Sequence, residues 1–434
     1  MPEVASATTF DDRIRSREAR IGIVGLGYAG LPLAMAFAEA GFGVTGIDLN
    51  EARVRAIAER RSYLVDVPAK RYGGLDGRMS ASTDYAAVAE LDALTICVPT
   101  PLSKTRTPDV SYIVSAAESV AQNIRPGQLV VLQSTTHPGT TEEIVKPILE
   151  RAGARVGEDV FLGYAPERVD PGNKSWTIKT TPKLVAGVTA ECRRRTELLY
   201  REIVDEVVPV SSPTVAETAK LHENTFRAVN IALANELALM CDKLGVSVWE
   251  VIEAASTKPF AFLPHHPGPG LGGDCIPVVP HFLAARAREY GYSPQLIEAA
   301  HEINTRMPAF VVGKVADALN DAGLPIKGQR LLLLGMAYKA DVHDTRESPS
   351  FEIMRLLIAR GADVVYCDPW VPEVELDDMR RESVAWTADE VERADCVVVL
   401  TQHRRFLEEP LWDRARLVVD ARNVVPDGPH VHKI

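Results

Sequence analysis

The sequence predicts an α/β protein in which two doubly wound parallel-sheet domains flank a long central helix. Short apolar runs alternate with helical patterns over the first 210 residues, which is typical of a parallel sheet covered on both faces. An alanine- and leucine-rich stretch from Pro213 to Leu244 then has helical spacing and no internal glycine or proline. After Lys327-Gly328 the alternation starts again, so the two ends of the chain look like variants of one architecture.

The amino-terminal elements follow from apolar runs and the residues that flank them. Residues 21–25 read as a short buried strand, 31–40 as a helix and 43–47 as a second strand. Further strands are expected at 94–98, 129–133 and 160–162.

The central helix begins at Ser212-Pro213 and ends before Gly245, which are typical start and stop signals. Helices are also expected at 249–256, 294–304 and 350–360, and carboxyl-terminal strands at 330–334, 363–367, 396–400 and 416–420. The predicted domains are 1–210, 211–310 and 311–434.

Composition narrows the class of protein. Hydrophobic residues make up 46% and charged residues 25% of the 434 positions, as in soluble globular proteins. The formal charge of −11 disfavours a nucleic-acid partner. The six cysteines are scattered and form no C-x-x-C pair, so we expect neither a disulfide framework nor a metal site, and a reducing cytoplasm fits. The first 20 residues lack the apolar core of a signal peptide, and no run is long enough to span a membrane.

A complete G-x-G-x-x-G motif predicts a dinucleotide site. It is formed by Gly25, Leu26, Gly27, Tyr28, Ala29 and Gly30. The motif follows a predicted strand and opens a predicted helix, which is the context it requires; a purely structural glycine turn is the alternative. Asp48 ends the second strand, where a carboxylate binds the adenosine ribose and repels a 2′-phosphate. NAD is therefore favoured over NADP.

A second glycine-rich run, Gly268–Pro280, carries a candidate nucleophile. Four glycines in six residues let the backbone come close to a ligand, and Cys275 lies at the exit of this loop. A packing cysteine would more often lie inside an apolar periodic segment. Beside a nicotinamide-type motif, a thiol suggests oxidation through a thiohemiacetal.

Several long motifs together resemble the UDP-glucose/GDP-mannose dehydrogenase family, and within it the bacterial UDP-N-acetylhexosamine 6-dehydrogenases. The resemblance runs from Ile21 to about Arg422. It rests on Gly25-Leu-Gly-Tyr-Ala-Gly-Leu-Pro32, Cys97-Val-Pro-Thr-Pro101, Ser134-Thr-Thr-His-Pro-Gly-Thr140, Lys220-Leu-His-Glu-Asn-Thr-Phe-Arg-Ala-Val-Asn230, Gly268–Pro280, and Gly335-Met-Ala-Tyr-Lys339 followed by Asp344-Thr-Arg-Glu-Ser-Pro349.

This resemblance implies two Rossmann-like domains joined by a long helix and a helical dimerisation region. It implies a homo-oligomer, expected to be a dimer, that oxidises the C6 alcohol of a nucleotide sugar to a carboxylate with two NAD+. Cys275 matches the family nucleophile, and Lys220 and Asn224 match the pair that stabilises oxyanions. Thr135 and Glu167 match positions that orient water and substrate, and a loop carboxylate can act as a general base.

The remaining site residues are also carried over from the resemblance. To the cofactor site it adds Arg53, Pro99, Thr100 and Thr135. To the site for the UDP-sugar it assigns Glu167, Arg168, Lys220, Asn224, Arg227, Phe260, Phe262, Gly268, Gly270, Gly272, Lys339 and Arg346.

The chain departs from the subgroup motif at two positions beside the nucleophile. Where Gly-Gly-His-Cys-Ile-Pro-Val-Asp-Pro is common, this chain has Asp274 before Cys275 and Val279 four residues after it. Valine cannot transfer a proton, and a second negative charge at Asp274 disfavours the thiolate. Asp274 could take over part of the lost role, or the second half-reaction could be weakened.

Two alternative functions therefore remain open at the sequence level. One is altered chemistry, either a two-electron oxidation or a redox-neutral isomerisation. The other is a non-catalytic nucleotide-sugar binding protein, which the presence of Cys275 and Lys220 argues against. The segments 257–260 and 267–270 favour a UDP-N-acetylhexosamine, most simply UDP-GlcNAc, over UDP-glucose, but they do not separate the hexosamine isomers.

Overall fold

The computed structural model describes residues 9–64, 67–75, 77–103, 107–169, 173, 175–273 and 275–434. Asp274 therefore lies outside the described residues. The chain divides into two compact units. The first comprises Met1–Glu223 and His281–Gly291, and the second Asn224–Pro280 and Tyr292–Ile434.

The first unit is built on an eight-stranded sheet with the order β3-β2-β1-β4-β5-β6-β7-β8. Its strands are β1 (Arg20–Val24), β2 (Gly43–Ile47), β3 (Met79–Ser82), β4 (Ala93–Ile96), β5 (Leu129–Leu132), β6 (Phe161–Tyr164), β7 (Lys183–Gly187) and β8 (Val207–Pro209). All pairs are parallel except β6–β7, which is antiparallel.

Helices cover both faces of this sheet. They are α1 (Phe10–Arg15), α2 (Gly30–Glu39), α3 (Glu51–Ala58), α4 (Ser111–Ala121), α5 (Lys146–Arg151) and α6 (Ala190–Tyr200), with shorter turns at Ala69–Gly74, Tyr85–Glu90 and Thr141–Val145. Leu129 and Val131 of β5 enter one apolar core, whereas Val130 and Leu132 enter another. Alternate residues of one strand thus face two cores, which confirms the doubly wound arrangement.

The long helix α7 spans Pro213–Leu244, as the sequence predicts. It contributes residues to both units. The helices that follow it are α8 (Val248–Ser256), α9 (Val279–Glu289) and α10 (Gln295–Asp321).

The second unit contains a five-stranded parallel sheet with the order β10-β9-β13-β14-β15 and a small hairpin, β11–β12. The strands are β9 (Arg330–Leu334), β10 (Asp363–Cys367), β11 (Glu373–Leu376), β12 (Met379–Glu382), β13 (Cys396–Val399), β14 (Val418–Asp420) and β15 (Val431–Lys433). The accompanying helices are α11 (Pro349–Ala359), α12 (Ala388–Glu392) and α13 (Arg404–Glu408).

The eight-stranded and five-stranded sheets confirm that the two ends of the chain share one architecture, because the same turn follows a central strand in each. Gly25 directly follows β1 and has φ of +90°, and Gly335 directly follows β9 and has φ of +94°. The backbone N–H that follows each glycine donates to a carboxylate at the end of the neighbouring strand. The acceptors are Asp48 at 2.8 Å and Asp368 at 2.7 Å.

The structure also differs from the sequence prediction in length and number of elements. The helix expected at 294–304 continues to Asp321 and passes through Pro308. The residues around this proline, Met307 and Val311, are fully buried in the core of the second unit, and this burial outweighs the lost hydrogen bond. Strands β3, β7, β8, β11, β12 and β15 and helix α9 were not expected. Within the described residues, no helix is both long and apolar enough to cross a membrane.

Candidate active site

Two different constraints explain the three glycines of the turn after β1. A Cβ on Gly25 would lie 2.7 Å from the carbonyl oxygen of Cys97, and one on Gly30 would lie 1.8 Å from the carbonyl oxygen of Gly25. Both glycines are therefore required by packing. A Cβ on Gly27 would meet nothing within 4 Å among the described residues. Since packing places no demand on Gly27, its glycine fits a site where a ligand approaches the backbone.

Other predicted cofactor residues surround this turn. Leu26 is fully buried, while Tyr28 is 46% exposed. Ala29 stands at the N-cap position of α2 and provides no side-chain cap. In the first turn, the N–H of Leu31 donates to the carbonyl of Gly27 at 3.0 Å and Pro32 has no N–H, so the N–H of Gly30 is the group placed to meet an anion. This arrangement fits a dinucleotide pyrophosphate.

Asp48, which follows β2, accepts a hydrogen bond from the glycine-rich turn after β1. Its Oδ2 accepts hydrogen bonds from the N–H of Leu26 at 2.8 Å and from Nη1 of Arg53 at 3.1 Å. Its Oδ1 accepts from the N–H of Asn50 at 2.8 Å. Each carboxylate oxygen has two acceptor sites, so Oδ1 retains one for a ribose hydroxyl. Asp48 thus fits the role predicted for it.

We expect NAD+ to be preferred over NADP+ by about 100-fold in kcat/KM, since a phosphate beside the Asp48 carboxylate is repelled by several kcal/mol. Asp48→Asn should narrow this ratio, because the repulsion is removed and Arg53 loses its anionic partner. Steady-state rates with both cofactors measure the effect, and Glu51→Gln on exposed helix surface is the matched control. Similar kcat/KM values for the two cofactors in the parent would contradict the assignment.

The loops that follow β4 and β5 are joined by side chains. Thr100 Oγ1 donates to the carbonyl of Thr135 at 2.5 Å, and Ser134 Oγ donates to the carbonyl of Val98 at 2.7 Å. Pro99 between them is exposed. The predicted cofactor residues Pro99, Thr100 and Thr135 therefore belong to one connected edge at the carboxyl ends of β4 and β5.

Glu167 lies in the loop after β6 and accepts four hydrogen bonds. Its Oε1 accepts from the N–H groups of Arg168 at 2.8 Å and Val169 at 2.9 Å. Its Oε2 accepts from Gln133 Nε2 at 2.9 Å and from Lys183 Nζ at 3.5 Å. Burial alone would raise the pKa of Glu167, but the charge of Lys183 and the two N–H donors outweigh it and lower the pKa. The carboxylate is therefore ionised and fixed in orientation.

Lys220 and Asn224 lie one helical turn apart on α7, on the same face. Lys220 is only 8% exposed, and no described residue forms an ion pair with it. The Nδ2 atom of Asn224 is buried and has no hydrogen-bond acceptor among the described residues. A buried amide donor without a partner is costly in a folded protein, and a bound acceptor would satisfy it.

Glu217 fixes α7 to the Thr135 loop one turn before Lys220. This fully buried carboxylate accepts from the N–H of Gly139 at 2.6 Å and from the N–H of Thr141 at 2.9 Å. Burial raises the pKa of Glu217 to about 7. No motif in the sequence marks Glu217, although its position three residues before Lys220 places it near the same helix face.

The basic residues predicted near Lys220 differ in their surroundings. Arg168 is ion-paired with Glu223 of α7 at 2.6 Å, and its Nη1 donates to the carbonyl of Pro182 at 2.7 Å. Arg168 thus fixes the Glu167 loop to the helix. Arg227 is exposed.

In the second unit, Cys275 is exposed and follows a tightly packed glycine segment. A Cβ on Gly270 would lie 3.1 Å from Pro349, one on Gly272 would lie 2.5 Å from Tyr338, and one on Gly273 would lie 2.9 Å from the same tyrosine ring. These glycines are therefore needed because the loop lies directly against residues 338–349.

Two polar contacts hold this loop in place. The N–H of Gly273 donates to the carbonyl of Arg346 at 2.8 Å. The N–H of Gly268 donates to Asn235 Oδ1 at 2.9 Å, and Asn235 Nδ2 donates to Asn304 Oδ1 at 2.8 Å. Both asparagines are buried. The segment before Cys275 is thus fixed at both ends.

After the nucleophile, the chain turns into α9. The carbonyl of Cys275 accepts from the N–H of Val279, which is the first residue of this helix and is 3% exposed. The departure from the family motif therefore places a buried apolar side chain one turn from Cys275.

The loop after β9 carries the predicted Lys339 and Arg346. Arg346 pairs with Asp344 through Nε at 2.9 Å and Nη2 at 2.7 Å. Asp341 and Glu347 have φ of +59° and +51°, which non-glycine residues rarely adopt. Strained backbone of this kind is often retained at ligand sites. Phe260 and Phe262, predicted to contact substrate, are 68% and 42% exposed.

Arg422 is a further cation beside this loop that sequence analysis did not assign to the site. A Cβ on Gly268 would lie only 2.7 Å from Nη1 of Arg422, so the guanidinium lies directly against this glycine. The Nε atom of Arg422 donates to the carbonyl of Leu400. Burial lowers the pKa of Arg422 to about 10. A sheltered guanidinium next to a glycine is suited to an anionic ligand.

The other five cysteines are buried, as predicted for core residues. Burial raises the pKa values of Cys97, Cys367 and Cys396 to about 12. Cys275 is the single exposed cysteine among the six.

Comparisons with known proteins agree with this geometry. Three domains of the UDP-glucose/GDP-mannose dehydrogenase family match the chain: the NAD binding domain over residues 19–204, the central domain over 214–306 and the UDP binding domain over 332–427. The chain is 35% identical to UDP-N-acetyl-D-mannosamine dehydrogenase of Pyrococcus horikoshii, over 94% of this chain and 97% of that protein.

Two further relatives are similar over most of their length. UDP-N-acetyl-D-glucosamine 6-dehydrogenase of Pseudomonas aeruginosa is 36% identical, over 82% of this chain and 84% of that protein. The solved structure of UDP-D-ManNAc dehydrogenase from Pyrococcus horikoshii has a TM-score of 0.87 and 34% identity, covering 96% of this chain and 99% of that one. The chain therefore belongs to the UDP-glucose/GDP-mannose dehydrogenase family and is an NAD-dependent oxidoreductase.

Proposed function

We propose that this protein oxidises the C6 alcohol of a UDP-N-acetylhexosamine to the 6-carboxylate through covalent intermediates on Cys275. The observation that carries the proposal is the position of Cys275: it is the exposed cysteine of the chain, and it follows a glycine segment fixed by Gly268 and Gly273. A thiol held at an accessible loop end is suited to attack a bound aldehyde.

The overall reaction removes four electrons from the substrate as two hydrides and consumes one water. NAD supplies the hydride acceptor for each oxidation when bound. The sulfur of Cys275 adds to the aldehyde carbon and gives a thiohemiacetal, and loss of the second hydride leaves a thioester. Water then forms the new C–O bond, and the C–S bond breaks to release the carboxylate and the thiol.

Lys220 and Asn224 are proposed to stabilise negative charge on the substrate oxygen. The support is a nearly buried ammonium and, one helical turn away, a buried amide donor with no partner among the described residues. Donors held in place before reaction stabilise developing oxyanions without the cost of reorganisation.

Glu167 is proposed to accept the proton of the attacking water. Its four hydrogen bonds hold an ionised carboxylate in one orientation. Since Val279 offers no carboxylate beside Cys275, Glu167 is our candidate for the base of the hydrolytic step.

Binding of the UDP moiety is assigned to the second unit, with Lys339, Arg346 and Arg422 as the cationic contacts. The glycine loop lies against residues 338–349, and Arg422 lies at Gly268, so these cations adjoin the segment that carries the nucleophile. In this arrangement, one loop system would hold the diphosphate and Cys275 together.

We further propose a homodimer that works in the cytoplasm, formed through α7. Phe226, Leu233 and Met240 recur every seven residues on this helix and are 45%, 62% and 47% exposed. Side chains at this spacing share one helix face, and an apolar face of this kind is suited to a second copy of the helix. The six free cysteines fit a reducing compartment.

The substrate assignment is tested with a panel of nucleotide sugars. UDP-GlcNAc, UDP-ManNAc, UDP-GalNAc and UDP-glucose would each be incubated with NAD+ and the purified protein, and the products identified by mass spectrometry. We expect a uronate from one of the UDP-N-acetylhexosamines and little from UDP-glucose. Oxidation of UDP-glucose alone would contradict the assignment.

Restoring a carboxylate beside the nucleophile should accelerate the hydrolytic step. We expect Val279→Asp to raise the rate of carboxylate release about three- to tenfold and the parent to accumulate an aldehyde or thioester stage. Val279 is 3% exposed, so the helix dipole at the start of α9 offsets only part of the cost of burying the new carboxylate. Single-turnover mass spectrometry compares the parent, Val279→Asp and the uncharged Val279→Asn. Complete conversion by the parent with no gain from aspartate would show that Glu167 suffices.

A further inference from the structure

We propose that Lys183 is a positioning residue for the hydrolytic step, and that it acts by holding the Glu167 carboxylate ionised and in a single orientation through a buried network with Gln133 and Tyr200. The proposal rests on the proposed role of Glu167 as the base. It adds three residues that the sequence pattern did not identify.

The network has one consistent arrangement of donors and acceptors. Tyr200 donates its hydroxyl to Gln133 Oε1 at 2.7 Å, and Lys183 Nζ donates to the same oxygen at 3.2 Å. Gln133 Nε2 then donates to Glu167 Oε2 at 2.9 Å. Flipping the amide of Gln133 would place its NH2 group against the Lys183 ammonium and its oxygen against the Glu167 carboxylate, so its contact with Glu167 is fixed.

The position of Lys183 depends on the reversal of one strand. β7 runs antiparallel to β6, so Lys183 at the beginning of β7 lies at the edge where β5 and β6 end. Gln133 follows β5 and Glu167 follows β6, and Tyr200 ends α6 beside them. A parallel β7 would have placed the lysine at the opposite edge of the sheet.

Burial makes the interaction of Lys183 with Glu167 strong. Lys183 is 5% exposed, and its Nζ lies 3.5 Å from Glu167 Oε2 and 5.2 Å from the centre of the Tyr200 ring. Burial lowers the pKa of Lys183, although the carboxylate of Glu167 opposes this effect. Removing the ammonium would leave the carboxylate with less compensation and raise its pKa.

Other ionisable groups near Glu167 do not replace Lys183. Lys220 from α7 also lowers the pKa of Glu167, but by less than Lys183 does. The side chain of Arg168 is committed to Glu223. Cys97, at the end of β4, is held protonated because burial raises its pKa to about 12. Loss of the Lys183 ammonium should therefore raise the pKa of Glu167 more than loss of any of these other groups.

The test compares Lys183→Met with Lys183→Arg in single-turnover experiments, following NADH formation and the acyl-enzyme by intact-mass spectrometry. We expect Lys183→Met to slow acyl-enzyme hydrolysis about tenfold or more at neutral pH and to change the first NADH burst less than about threefold. The acid limb of the pH–rate profile for hydrolysis should move to higher pH, since Glu167 would then ionise only there. Lys183→Arg should restore most of the rate.

Two control variants separate the loss of the buried ammonium from the loss of any lysine charge and from unfolding. Lys179→Met makes the same chemical change at an exposed position near β7 and should behave as the parent. If Lys183→Met does not fold, Tyr200→Phe removes only the hydroxyl that orients Gln133 and should move the acid limb in the same direction by less. An unchanged acid limb and unchanged hydrolysis in Lys183→Met, or in Tyr200→Phe if that variant must replace it, would overturn the inference. Absence of any acyl-enzyme or uronate in the parent would instead overturn the proposed function.

Discussion

Cys275→Ala should abolish carboxylate formation while leaving the protein folded. The expected loss in kcat is on the order of 10³-fold or more, because no other group can form the covalent intermediates. The side chain is exposed, so its truncation should change the free energy of unfolding by about 0.5 kcal/mol or less. Uronate formation and thermal unfolding should be measured on the same preparation.

Cys396→Ala provides the contrast to this variant. Cys396 is fully buried in the core of the second unit, so its truncation should lower stability while kcat changes little. If Cys275→Ala still made uronate at near the parental rate, Cys275 would not be the nucleophile. If both variants were unfolded and both lost activity, the result would reflect lost stability and would not test the role of the Cys275 thiol.

Lys220→Ala should lower kcat by about 10² to 10³-fold with a much smaller change in KM. A cation that faces a developing oxyanion acts mainly in the transition state, and its removal therefore affects kcat more than substrate binding. Lys220 is nearly buried on α7, whereas Lys243 is exposed in the last turn of the same helix. Steady-state kinetics of Lys220→Ala and Lys243→Ala give the comparison.

A second replacement distinguishes charge from geometry at this position. Lys220→Arg keeps the positive charge but not the compact ammonium, and should recover only part of the rate. A pure KM effect in Lys220→Ala would reassign the residue to binding of the ground-state substrate.

Much of the fold could be predicted because its strands are short apolar runs with clear boundaries. The predicted ranges 43–47, 330–334 and 363–367 agree with β2, β9 and β10, and α7 has its predicted ends. In these segments, periodicity, caps and turn residues favour the same structure. The prediction for α10 was wrong in length, because Pro308 is a helix-breaking residue in sequence but is buried within a packed helix here.

The candidate site could be predicted only where its residues lie in recognisable motifs. Gly25, Asp48 and Cys275 are marked by spacing and by neighbouring glycines. Lys183 is not, because its relation to Glu167 depends on β7 running antiparallel, and strand direction is not visible in a five-residue apolar run. Glu217 and Asn235 were missed for a similar reason: their partners are backbone groups distant in sequence.

The stoichiometry of NADH formation tests the central claim most directly. A known amount of the preferred UDP-N-acetylhexosamine would be converted to completion with excess NAD+, with NADH measured by absorbance and the sugar product by mass spectrometry. The covalent four-electron mechanism predicts two NADH for each uronate, with a transient acyl-enzyme on Cys275. One NADH per sugar with an aldehyde product, or none with an isomerised sugar, would contradict it.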